Sequence, residues 1–242
     1  MDTARKRAII VGVLFIIATA FLFIGEAVYG PILDSPDYLE TAYPNRITAV
    51  IGILLEFACV IAIPLIPVVI YPVLKEHAES LALGYVGFRF FEAVLFILTE
   101  INELSLINVS QGYLNSGGAD ASYFRNLGFS IQAQDQWIFV MYVIVFTLGG
   151  LIFYSALYKS KLVPRFISAW GFLAAALLLV GMVLVMVELN TGPLGDIWEL
   201  IFAAPIAVNE MVLALWLIIK GFNSSAIASE PAQTEIGTVA YN

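Results

Sequence analysis

The chain is poor in the residues from which most catalytic and metal centres are built. Its 242 residues include one cysteine, Cys59, and one histidine, His77. A single cysteine excludes an intramolecular disulfide framework and a cysteine-based metal site. A single histidine excludes bis-histidine haem, multi-histidine zinc and a His-x-x-x-His metalloprotease motif. The G-x-S-x-G motif is absent as well, so serine hydrolase chemistry has no support. No cofactor and no metal site is expected, and a membrane enzyme is the third-ranked reading. Charge is also scarce, at 12% of residues, and the formal net charge of −8 gives no reason to expect nucleic-acid binding.

What the chain has instead is apolar sequence. Hydrophobic residues make up 61% and mean hydropathy is +0.92, which points to a polytopic protein whose main partner is the lipid bilayer. Six segments are long enough to cross about 30 Å of hydrocarbon at about 1.5 Å per residue. They run over 8–29, 47–73, 81–108, 137–158, 166–187 and 198–219. The expected fold is an all-α integral membrane protein, a six-helix transmembrane bundle formed by residues 1–222. A Ser/Ala-rich tail over 223–242 is expected to be disordered.

Orientation follows from Lys and Arg. Arg5, Lys6, Arg7, Lys75, Lys159, Lys161, Arg165 and Lys220 fall on one side. Arg46 and Arg125 fall on the other, and Arg89 lies within a span. This split places the protein in the cell membrane with both termini cytoplasmic. The outer connections are acidic, with Asp34, Asp37, Glu40, Asp120, Asp135 and Asp196.

Smaller features have structural readings. Residues 110–136 read as a long outer connection, in which Phe124, Leu127 and Ile131 recur at helical spacing. They predict a short interfacial helix or an outward extension of the fourth span. Asp135 reads as an interfacial cap, and His77 as a solvated loop residue. Pro64, Pro67 and Pro72 read as a packed kink in the second span. Gly149-Gly150 reads as a site of close helix packing. Glu26-x-x-x-Gly30-Pro31-x-x-Asp34 and Glu188-x-x-x-Gly192-Pro193-x-x-Asp196 share one pattern. They make helices 1–2 and 5–6 candidates for a parallel repeat, against convergent turn chemistry.

The stretch most open to a functional reading is "GYVGFRFFEAVLFILTEINELSL", residues 84–106. At about 100° per residue, Arg89, Glu92, Glu100 and Glu103 fall within an arc of about 80°, with Phe96 in its middle. Arg89 lies about 12 Å from the inner end of its span, and Glu92 is a turn deeper. Glu56 in the second span lies about 13 Å from the outer end, and Glu210, beside Asn209, about 18 Å from the outer end of the sixth. Ionisable groups at such depths cost about 2.5–3.5 kcal/mol each, and they face the bundle interior and pair. Spans two, three and six should therefore enclose a charged core. One Arg cannot neutralise several buried carboxylates, so some must be protonated, hydrated or bound to something.

The blocks "YPVLKEHAESLALGYVGFRFFEAVL" (71–95), "LVPRFISAWGFLAAALLLVG" (162–181) and "PIAVNEMVLALWLIIKGF" (205–222) resemble a prokaryotic membrane family catalogued as domain of unknown function 4386. The likeness covers about residues 5–222. It implies a bacterial or archaeal multi-pass protein and no particular activity. From the residues, the leading expectation is binding or translocation of a small solute, ion or proton through the charged core. The competing expectation is a structural or accessory membrane protein whose buried ion pairs only stabilise the fold.

Overall fold

The computed structural model describes residues 2–117, 120–188 and 199–227, and among them every regular element is helical. In chain order these are α1 (Thr3–Leu33), α2 (Tyr38–Thr41), α3 (Arg46–Asn115), α4 (Ala121–Ser160), α5 (Arg165–Glu188), α6 (Ala204–Ile219) and α7 (Ser224–Ile227). A π-helical turn, Glu199–Ala203, leads into α6. Five of these helices are long and apolar enough to cross a membrane. Such helices suggest a membrane protein, because a helix satisfies its backbone hydrogen bonds internally and so can cross a bilayer.

The expected second and third spans both lie in α3, a helix of 70 residues. Only Ala78 leaves helical geometry, at φ −161° and ψ 66°. The two arms nevertheless lie side by side. Arg89 Nε donates to the carbonyl oxygen of Ile63, 3.5 Å away, although 26 residues of straight helix would separate them by about 39 Å. The chain therefore folds back around Ala78. The three prolines stay within the helical arm, so the sharp turn falls outside them.

Several connections differ from the sequence reading. The long connection over 110–136 shrinks to a few residues, because α3 runs to Asn115 and α4 starts at Ala121. Phe124, Leu127 and Ile131 belong to this extension of α4, and Phe124 packs edge-on against Tyr113. Gly30-Pro31 does not end α1; the helix runs on to Leu33, and the Asp34 N–H closes it on the Gly30 carbonyl. Residues 189–198, which carry most of the second copy of the expected repeat, lie outside the described residues, as do residues 228–242.

One end of the bundle is basic and is tied together by side chains. Arg5 donates to the carbonyls of Leu217, Ile218 and Ile219 at 3.0, 2.6 and 3.0 Å. These are acceptors left over at the end of α6. His77 is not free in a loop: its Nε2 lies 3.0 Å from the Ala226 carbonyl and its Nδ1 3.3 Å from that of Val73. The segment expected to be disordered thus begins with an ordered turn, α7, held also by Asn223 on the Lys161 carbonyl at 2.6 Å.

Above that end lies the main apolar core, where Phe15, Ile66, Ile70, Phe153, Ile167 and Leu213 are buried and the rings of Tyr85 and Phe153 stack at 4.3 Å. A second cluster around Tyr29, Leu33 and Leu106 fills the acidic end, and a third around Cys59, Ile63 and Phe96 lies beside the helix interior. The outward faces stay apolar, with Leu54, Phe91, Leu173 and Val187 among the exposed side chains. That pattern suits lipid as the surrounding solvent.

Candidate functional site

The charged stripe of α3 faces inward. Glu56, Arg89, Glu92 and Glu100 are only 2%, 4%, 1% and 4% exposed. They do not form one core, however. They divide into two centres.

The first centre is built around Arg89. Its Nη1 lies 3.0 Å from Glu92 Oε2, one turn along the same arm. The guanidinium also rests over the rings of Phe146 and Tyr85, at 5.7 and 6.0 Å, which offer cation–π contact. Half-buried Glu210 of α6 lies near enough for its charge to interact with Arg89. Asn209 turns away from this centre. Its Nδ2 donates to the Ile167 carbonyl of α5 at 2.9 Å, so it ties two helices together.

The Ile63 carbonyl that receives Arg89 has a local cause. In an α-helix it would accept from the N–H four residues on, at Pro67, which has none. The proline removes the donor, and Arg89 reaches the freed acceptor from the opposite arm.

The second centre lies toward the acidic end. Carboxylate oxygens of Glu56, Glu100 and Glu103 lie within 4.8 Å of one another. The Tyr29 hydroxyl lies within hydrogen-bonding reach of the side chains of Glu56 and Glu103. Neither oxygen of Glu100 has a hydrogen-bond partner, nor has Oε2 of Glu56 or of Glu103. Among the described residues no Lys, Arg or His is ion-paired with any of the three. Negative charges at such spacing repel by about 3 kcal/mol per pair at an effective dielectric constant of about 20. The trio therefore requires compensating positive charge, supplied by protons or by a cation.

Glycine sets the position of this centre. A Cβ on Gly25 would lie 2.6 Å from Glu56 Cβ and 2.8 Å from the Gly52 carbonyl. A Cβ on Gly52 would lie 2.9 Å from both the Gly25 carbonyl and the Tyr29 nitrogen. The backbones of α1 and the first arm of α3 touch there, and the contact brings Tyr29 to Glu56.

A cleft of about 330 Å³ reaches the second centre from the acidic end, lined by Asp34, Asn102, Glu103, Gln132, Asp135 and Gln136 among others. Asp135 accepts a hydrogen bond from Asn102 Nδ2 at 3.2 Å; it is a cleft residue in mid-helix and caps nothing. Asp34 stands at the mouth, where desolvation raises its carboxyl above the usual aspartate value. Between the two centres stands Phe96, buried, its ring 5.0 Å from that of Tyr142.

Sequence reasoning assigned Glu56 to the Arg89 centre and gave Tyr29 and Asn102 no role in the site. One available signal was depth. Glu56 and Glu100 lie about 13 and 12 Å from the same end of adjacent antiparallel spans, which predicts that they meet.

Helices long and apolar enough to cross a bilayer, closed around paired and unpaired carboxylates, suggest a membrane protein that is helical throughout the described residues and has an ionisable interior. The chain belongs to the family described as Domain of unknown function (DUF4386), which matches residues 10–221. No curated protein and no solved structure matches it.

Proposed function

We propose that this protein binds a small cation or cationic solute in its interior and passes it, or protons exchanged for it, across the membrane. In this reading α3 makes two crossings, so residues 1–222 form six, with both termini cytoplasmic. The cleft at the acidic end is then the outer entrance. The observation that carries the reading is the charge imbalance. Among the described residues the one interior cation, Arg89, is paired with Glu92, while Glu56, Glu100 and Glu103 face one another. Ionisable groups inside a bundle mark ion and proton paths more often than their cost alone would allow.

A traveller entering by the cleft meets Glu103, then Glu100 and Glu56. Phe96 against Tyr142 closes the way to Glu92, so passage requires that ring to move. The test is flux in proteoliposomes. Glu92→Gln and Glu210→Gln keep shape and remove charge. Both should insert normally and lose cation or proton flux. Absence of flux in the wild type across a broad panel of cations and protons, with both variants merely destabilised, would overturn the reading.

One observation favours the alternative, a structural role. Arg89 is fully engaged by Glu92, two rings and a backbone carbonyl, as expected of a pair that fixes helix register. That account leaves the second centre without a purpose.

A further inference from the structure

We infer that Glu56, Glu100 and Glu103 form a binding site for a hard divalent cation, with the Tyr29 hydroxyl at its edge. The inference deepens the functional reading above, on which it rests for access of a cation from the cleft. Two observations beyond the acidic cluster itself point to a ligand. Glu100 is 4% exposed, is directed at the other two carboxylates, and has both oxygens unpartnered. A polar cleft of about 330 Å³ also has Glu103 in its lining, which brings one carboxylate of the trio to a space that a hydrated ion can enter.

The donor set selects the class of ion. Every donor is oxygen, and no nitrogen or sulfur ligand belongs to the cluster. Carboxylate-only sites suit Mg²⁺, Ca²⁺ and Mn²⁺, whereas Zn²⁺ and Cu⁺ favour His and Cys. Oxygens that lie within 4.8 Å of one another are close enough to share one such ion, whose oxygen bonds run from about 2.0 to 2.6 Å. Three carboxylates exceed the charge of one divalent ion by one, and the Tyr29 hydroxyl donates toward that excess. The sequence reading expected no metal because it weighed histidine and cysteine spacing. These ligands come from two arms, and Glu100 follows Glu56 by 44 positions in the chain.

The experiment uses the full chain in nanodiscs, stripped with EDTA and titrated with Ca²⁺ calorimetrically and with Mn²⁺ by paramagnetic resonance. The expected result is one saturable site per chain for each ion. Glu56→Gln and Glu100→Gln should each weaken it at least tenfold, while Glu76→Gln, at the basic end, should leave it unchanged. Bound Mn²⁺ should show no coupling to a nitrogen ligand, a readout on the wild type that does not depend on the variants folding. No saturable site, binding unaltered in folded Glu56→Gln and Glu100→Gln, or nitrogen coupling would each overturn the inference. Saturable binding without flux would keep the site and reject translocation. Flux without Ca²⁺ or Mn²⁺ binding would keep translocation and reject the site.

Discussion

Arg89 Nε lies 3.5 Å from the carbonyl oxygen of Ile63, the acceptor that Pro67 leaves without its helical donor. The contact joins the two arms of α3 at the level of the Arg89–Glu92 pair. It makes Arg89 the residue whose loss leaves most unsatisfied: a buried carboxylate, a bare carbonyl and two ring faces. Arg89→Ala should lower stability by about 3–5 kcal/mol, the usual cost of breaking a buried pair. Adding Glu92→Gln to it should recover part of that loss. Thermal denaturation in detergent and in lipid checks both. Wild-type stability in Arg89→Ala would show that the pair does not hold the arms.

Gly52 offers a way to disturb the second centre without touching a carboxylate. Its missing side chain is what lets Tyr29 and Glu56 approach. Gly52→Ala should force α1 and the first arm of α3 apart and cost about 1–3 kcal/mol, the range for overpacked sites. Gly87 has nothing within 4 Å of its would-be Cβ, so Gly87→Ala should be neutral or stabilising. Equal melting temperatures for the two variants would contradict the close approach.

At the basic end Arg5 serves as a distant cap for α6. It satisfies three terminal carbonyls and places its positive charge where the helix dipole is negative. Arg5→Ala should cost about 1 kcal/mol, given its partial exposure. Arg5→Lys should cost less, since one ammonium keeps the charge but cannot bridge three carbonyls with a planar fork. Hydrogen exchange at 217–221 is the local measurement, and exchange there should quicken in Arg5→Ala.

The helices and the inward stripe on α3 were legible because both depend on local periodicity. Hydropathy marks each apolar stretch, and 100° per residue puts Arg89, Glu92, Glu100 and Glu103 on one face. What joins the stripe was not legible, because it depends on register between helices. Glu56 meets Glu100 and Glu103, one level away from Arg89, and the contact of Gly25 with Gly52 decides that level. The extension of α4 was half legible: Phe124, Leu127 and Ile131 carry the helical period, but length alone could not show that it joins Trp137 without a break. The turn at Ala78 looked like a polar loop because "KEHAES" is charged, whereas a single non-helical residue suffices.

The last prediction concerns orientation, which sets what the cleft can receive. Eight of the ten Lys and Arg outside the bundle interior lie at the end that bears Arg5, Lys75, Lys159 and Lys220, and such residues are retained on the cytoplasmic side. Lys159 and Ser122 are both exposed, at opposite ends of α4. Cys59 is 3% exposed, so it contributes little background to thiol labelling. In intact cells, Ser122→Cys should react with a membrane-impermeant maleimide. Lys159→Cys should react only after lysis. The reverse pattern would turn the cleft toward the cytoplasm, and the cation bound at Glu56, Glu100 and Glu103 would then be drawn from the cell interior.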